Sequence, residues 1–459
     1  MRHQRSQLGF IAVFVSVVLA AAGCSAAVSP SPSVVASASQ SQGASSPSVP
    51  SPAATENAAP QVVTFWQFST RPEDINAFDT LITKFEALHP NITINMQLVP
   101  WADQQQKLTT ALTSGGLPDV SELGNDVVAQ YEHIGALAPL DAYFQAESTR
   151  LGQDITQDFW PGDALYYKLD GHWWGSPVFE DVMSLYYRTD LFKAAGLDPT
   201  MPPQTWDQMK TDAQLLTKGN VYGWGAIQSI DYVTLQTFMS VYLSYGARYL
   251  NAQGKCGFDT PEFRQALDYY TSIYKSGWAP PDSVSYSFTD MENQWKSGKL
   301  AMFIDSAYLV ADTQSQNPSM AKNMALAPIP GGSQGAFAFL GGVPLVLWNT
   351  SKVKDAAAQW IMFATNAQNV GDLDRAAGEL PGRKSLATQA PWNAYPWNVF
   401  INQLPHAYPY QYPAPEIPQM GGLEVSAVQT AVQSVALGKA SLDQATQTLC
   451  STINSALGQ

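Results

Sequence analysis

The chain has 459 residues, with 38 Asp and Glu against 24 Lys and Arg and a net charge of −14. That balance excludes the broad basic face on which nucleic acid or an anionic lipid surface would be held. The length suffices for two domains with sizeable cores, and 13 Trp within an aromatic share of 11% call for a role beyond filler.

Arg2 and Arg5 precede an apolar run over residues 9–22, closed by Ala21, Ala22, Gly23 and Cys24. This is the order of a secretory leader with a small-residue cleavage site. The run is shorter than the ~20 apolar residues that span a bilayer core. A Cys directly after the small residues looks like a bacterial lipobox, although Ala21 stands where that pattern has Leu. The likeness implies a leader over 1–23, a lipid on Cys24, and an anchored body on the outer face of the cell membrane. Residues 25–60 are mostly Ser, Ala, Pro, Val and Gln, with Glu56 the one charge. Such a stretch buries too little apolar surface to offset its ordering entropy. Residues 24–61 are therefore expected to be a lipidated Cys and a disordered linker.

Residues 62–65 then make a buried strand. A helix follows, since Ile75, Phe78, Leu81, Ile82, Phe85 and Leu88 recur at three- and four-residue spacing. His89-Pro90-Asn91 stops it. Residues 92–99 are a strand, 103–113 a helix closed by Ser114-Gly115-Gly116, and 120–123 a short strand. Strand–helix–strand–helix order predicts a parallel sheet with covering helices and a ligand crevice past its carboxyl ends. Trp66-Gln67 and Gly124-Asn125-Asp126 stand just past two such ends. Residues 171–177 give a turn and short strand, 183–187 a strand, and 189–195 a short helix ended by Gly196. Thr205 caps a helix to Leu216, and 234–245, 260–276 and 289–297 are helical. A strand at 300–304 delivers Asp305 and Ser306. Amphipathic helices occupy 352–365, 423–437 and 441–457.

Residues 391–418 carry seven aromatics spaced by Pro, so neither helix nor sheet can continue through them. They form either an irregular segment pinned by its rings or an aromatic wall over a ligand. If Cys24 carries lipid, Cys256 and Cys450 remain; they pair as a disulfide or sit as two separate buried thiols. His3, His89, His133, His172 and His406 are scattered and no Cys pair has ligand spacing, so neither a metal nor a cofactor is called for.

Several blocks resemble the extracytoplasmic solute-binding proteins of ABC sugar importers, of the maltodextrin-binding type. They are VTFWQFS (63–69), LVPWADQQQKLTTALTSGGLPDVSELGND (98–126), WWGSPVFEDVMSLYYRTDLFKAAGL (173–197), PPQTWDQM (202–209) and WKSGKLAMFIDSAY (295–308). PIPGG (328–332), FLGG (339–342) and LPGRKS (380–385) follow in the family's order. The resemblance implies an α/β fold of two periplasmic-binding-protein-like lobes joined by a hinge, each a sheet flanked by helices. Crossings fall near 177–181, 325–329 and 377–381, with lobe 1 at 62–176 plus 328–376 and lobe 2 at 177–327 plus 377–459. The implied partners are a carbohydrate ligand and the permease, with the chain a monomer.

A sugar offers hydroxyl edges and apolar faces, so its site combines polar side chains with flat rings. Trp66 and Trp224 are candidate rings, and Gln67 can donate and accept beside the first. Asn125 and Asp126 match the family's first binding turn. Phe179, Glu180 and Asp181 match its aromatic-then-acid crossing. Neighbours on a strand point to opposite faces, so one of the two acids is expected to face the ligand. Ser306 and Tyr308 stand where the family has Gly and Trp. Phe339, Gly341 and Gly342 match a turn whose backbone reaches the ligand, and Arg383 either bridges hydroxyls or braces the hinge. Trp278, Tyr395 and Trp397 are further walls. The aromatic excess favours a di- or oligosaccharide. The rival readings are a secreted glycoside hydrolase, a structural or signalling lipoprotein, and a binder of a non-sugar solute. Against the hydrolase, no acid pair has features that set one as acid and the other as nucleophile.

Overall fold

The computed structural model describes residues 59–410, Ile417 and 423–458. The leader, Cys24 and nearly all of the linker lie outside the described residues. Fourteen strands run through the described residues: β1 (Gln61–Gln67), β2 (Ile92–Leu98), β3 (Val120–Glu122), β4 (Leu137–Ala138), β5 (Lys168–Leu169), β6 (His172–Trp173), β7 (Ser176–Val182), β8 (Ser184–Arg188), β9 (Tyr222–Trp224), β10 (Leu300–Asp305), β11 (Met324–Ala327), β12 (Ala338–Trp348), β13 (Leu380–Pro381) and β14 (Ala407–Tyr408). One lobe is built on an eight-stranded sheet of order β13-β7-β12-β3-β1-β2, with β4 and β14 on β12. The other holds the four-stranded sheet β11-β8-β10-β9, and β5 with β6 makes a small hairpin.

Local signals place the elements. The helix Pro72–Leu88 starts on Pro72 with Glu73 and Asp74 in its first turn, where the peptide dipoles favour negative charge. Thr205 and Gln208 close a reciprocal cap on the helix Trp206–Leu216. Ser287 and Asp290 do the same for Phe288–Lys296, and Ser441 with Gln444 for Leu442–Ala456. Strands β2, β1 and β3 run parallel as predicted. The large sheet is nonetheless mixed, because β12 runs antiparallel to β3 and β7. It enters from the second lobe rather than through a strand–helix–strand crossover. All eleven of its residues are buried, so its sequence shows no alternation.

Met183 alone separates β7 from β8, so the first crossing falls there rather than at 177–181. Residues 177–182 pair with β12 and β13 and stay in the large sheet. The second crossing runs through 328–337, from β11 to β12. Residues 380–381 also remain in the large sheet as β13, so the third crossing lies beyond 377–381. The aromatic segment supplies it. Trp392 Nε1 donates to Glu379 O on the large-sheet side, and Leu326 N of β11 donates to Tyr395 Oη. Gln403 Nε2 donates to Ser184 Oγ while its Oε1 accepts from Ile329 N. Contrary to the Pro argument, this strap holds a short helix, Trp397–Ile401, and β14.

Nine of the 13 Trp are buried. Trp360 packs on Phe65 and Phe85 with ring centroids 5.9 and 5.3 Å apart, and Trp206 stacks on Trp224 at 6.0 Å. The aromatic excess is thus mainly core, and it no longer argues for a long sugar chain. Cys256 and Cys450 form a disulfide across 194 residues, tying the loop after Tyr232–Tyr245 to the last helix. Replacing both with Ser is expected to cost about 2–5 kcal/mol, read as a lower denaturant midpoint. An unchanged midpoint would mean the bond carries no stability.

Candidate functional site

Gln67, the last residue of β1, is completely buried, and neither its amide nitrogen nor its oxygen has a partner among the described residues. On the adjacent β3, Glu122 Oε2 accepts from Phe68 N at 2.6 Å, and burial pushes its pKa up to about 8. Asn125 Nδ2 donates to Leu340 O at 3.3 Å. Asp126 has no cation partner among the described residues, and burial pushes it up to about 6. Its charge is among those which, after burial, raise the phenols of Tyr167, Tyr232 and Tyr410. Tyr232 belongs to the small-sheet lobe, so Asp126 faces across the cleft.

Beside the first crossing, Glu180 pairs with Gly342 and Asp181 with Gly341. A Cβ on Gly342 would stand 3.2 Å from Tyr167 Oη and 3.3 Å from Glu180 Oε2, and one on Gly341 2.8 Å from Asp181 Cβ. The glycines therefore let β12 run close under the two acids. The acids part as strand alternation predicts. Glu180 turns to Asp163; burial first, then that neighbouring carboxyl, raises its pKa, while Asp163 sits at about 7. Asp181 turns to Ser306 at the end of β10, and burial pushes it up to about 6. Ser306 N in turn donates to Asp305 Oδ1 at 2.7 Å. One oxygen each of Glu180, Asp181 and Asp305 has no partner among the described residues. Phe179 is half-buried beside them.

Other candidates are placed elsewhere. Trp66 lies within the large-sheet lobe, its Nε1 donating to Gln97 Oε1 and its ring 4.7 Å under Lys107 Nζ. Trp224 is a core residue, stacked on Trp206 and set edge-on to Tyr270. Phe339 is buried and stacked on Tyr410 at 4.7 Å, which leaves it no open face on that side. Tyr308 is covered on one face by Arg71, 4.6 Å from the ring centroid. Arg383 is bound within the large-sheet lobe: it donates to Pro177 O, Gly382 O and Thr365 O, and lies 4.5 Å over Phe159. Burial pulls its pKa down to about 10.

Sequence reasoning named Asp305 only as a strand end and missed Tyr167, Tyr232 and Arg71. Tyr232 carried a usable signal, because Asp231 caps its helix by accepting from Val233 N. The cleft that results is rich in buried hydrogen-bond acceptors, with the neutral amides of Gln67 and Asn125 able to donate as well, only the first being unpartnered among the described residues. A groove of about 290 Å³ between Pro72–Leu88 and Ala367–Ala377 shares none of these residues.

This fold and cleft define a class. The family model for bacterial extracellular solute-binding proteins matches residues 69–371, and the chain belongs to that family. It is a solute-binding protein of an ABC transporter, working outside the cytoplasm. It is 30% identical over 370 residues to a putative binding protein of Brucella abortus, covering 80% of this chain and 86% of that one. It is 28% identical to a mannitol-binding protein of Pseudomonas aeruginosa, covering 76% and 80%. A Thermotoga lettingae ABC transporter solute-binding protein, solved with α-D-tagatose, superposes with a TM-score of 0.78 at 25% identity, covering 87% of this chain and all of that one.

The raised carboxyl pKa values set a pH dependence. Asp126 and Asp181 at about 6, Asp163 at about 7 and Glu122 at about 8 keep protons in the folded chain that the unfolded chain has released. Their stabilising contribution is complete below about pH 4 and lost as pH rises to 8. The ligand-free melting temperature is therefore expected to fall between pH 5 and pH 8. A rise over that range would contradict these assignments.

Proposed function

We propose that the cleft captures a polyhydroxylated solute of monosaccharide or polyol size and hands it to the permease without chemical change. The observation that carries this reading is the set of buried, unpartnered polar atoms on Gln67, Glu180, Asp181 and Asp305. Hydroxyls satisfy such acceptors without bringing charge, and the Gln67 amide can also donate. The tagatose and mannitol carried by the relatives' names support a small ligand. So does the loss of Trp66 and Trp224 as stacking walls. Glu180 and Asp181 point away from each other, which disfavours hydrolysis, where two carboxyls flank one bond. The body is a monomer held to the membrane by lipid on Cys24; the mass of the mature N-terminal peptide tests that part.

A thermal-shift panel of polyols, monosaccharides and oligosaccharides against the full chain tests the rest. At one hundred times its dissociation constant, a ligand of the folded state stabilises by about 2.7 kcal/mol. A selective rise with a polyol or monosaccharide is expected. A response to oligosaccharides alone, or to none of the panel, would overturn the reading. With the responding solute, Asp181→Ala is expected to weaken binding about ten- to hundredfold, since a hydrogen bond to a charged group contributes ~1.5–3 kcal/mol. Calorimetric titration measures that loss.

A further inference from the structure

Arg71 follows β1 and precedes the helix Pro72–Leu88, so its backbone belongs to the large-sheet lobe. There its guanidinium binds Glu379 Oε1 at 2.6 Å and Asp74 Oδ1 at 3.3 Å, and donates to Ala377 O at 2.9 Å. The same group reaches into the other lobe. Asp312 Oδ1, on the helix Leu309–Gln316 that follows β10, is 3.6 Å from Nη2. The Tyr308 ring lies 4.6 Å from Cζ. One planar cation thus offers its edges to carboxylates of both lobes and its face to a ring of the second. Lysine, a compact point charge, could not hold all of these at once.

We propose that Arg71 is the positioning residue for lobe closure. It draws Tyr308 and Asp312 against the large-sheet lobe and so sets how much of the ligand-free protein is closed. Ser306 and Asp305 stand two and three residues before Tyr308, so the clasp and the Ser306–Asp181 contact share one short segment of the small-sheet lobe. Apparent affinity scales with the closed fraction, so the clasp tunes binding without touching the solute. The proposal goes beyond the ligand reading and does not depend on which solute binds.

The test measures interlobe distance without ligand. Nitroxides are placed at Gln106→Cys and Asn293→Cys, both exposed and one on each lobe, in the full chain carrying Cys24→Ser. Arg71→Gln is expected to shift the pulsed-dipolar distance distribution away from that of the wild type. Asp312→Asn, which removes only the cross-lobe ion pair, is expected to shift it the same way by less. The double variant is expected to match Arg71→Gln alone, and Arg71→Lys to fall between wild type and Arg71→Gln. Unchanged distributions in Arg71→Gln and Asp312→Asn would overturn the proposal, as would fully additive shifts in the double variant. Should Arg71→Gln not fold, Asp312→Asn decides: a shift supports the clasp, and none overturns it.

Discussion

A buried polar group must find a partner, and the cleft of this chain withholds that partner at several places at once. Gln67, Glu180, Asp181 and Asp305 carry oxygens or an amide nitrogen enclosed by protein and bonded to none of the described residues. A buried polar atom left with neither protein nor water as partner costs about 1–3 kcal/mol in a folded protein. The rest of the molecule offsets that. An aromatic-rich core, nine buried Trp and a disulfide spanning 194 residues hold the lobes in spite of the cleft. A solute rich in hydroxyls offers partners to these atoms, which gives the lobes a reason to close on it.

The crossing at Met183 turns this constraint into a machine with a hinge. Strands β7 and β8 lie in different sheets and are joined by a single residue. Asp181 therefore stands two residues from the pivot, and Ser306 reaches it from the far sheet. Gln403 braces the pivot, its Nε2 donating to Met183 O and Ser184 Oγ while its Oε1 accepts from Ile329 N; Arg383 stays on the large-sheet side, bonded to Pro177 O. The candidate ligand-facing side chains and Gln403, which holds the hinge, are thus near neighbours.

Much of the fold was legible because its helices carry local signals. Spacing placed Pro72–Leu88, the Thr205 cap placed the helix at 206–216, and amphipathic pattern placed the one at 442–456 close to its observed ends. Strand β12 was invisible as a strand because burial on both faces removes alternation. The helix Ala367–Ala377, started by the Asn366 cap, also went unread. For the candidate site, Gln67, Asp126 and Asp181 were named from their position past strand ends or at the crossing. Trp66 and Trp224 are packed within their own lobes. An indole has the same composition whether it faces a sugar or a core, and only packing against Lys107 or Trp206 tells which. Arg71 was missed because its partners lie up to 308 residues away in sequence.

A crystal structure of the full chain with the solute that gives the largest thermal shift would test the central claim most directly. The account predicts the solute between the two sheets, its hydroxyls hydrogen-bonded to Gln67, Asp181 and Asp305. A solute bound elsewhere, with those side chains still unpartnered, would contradict it.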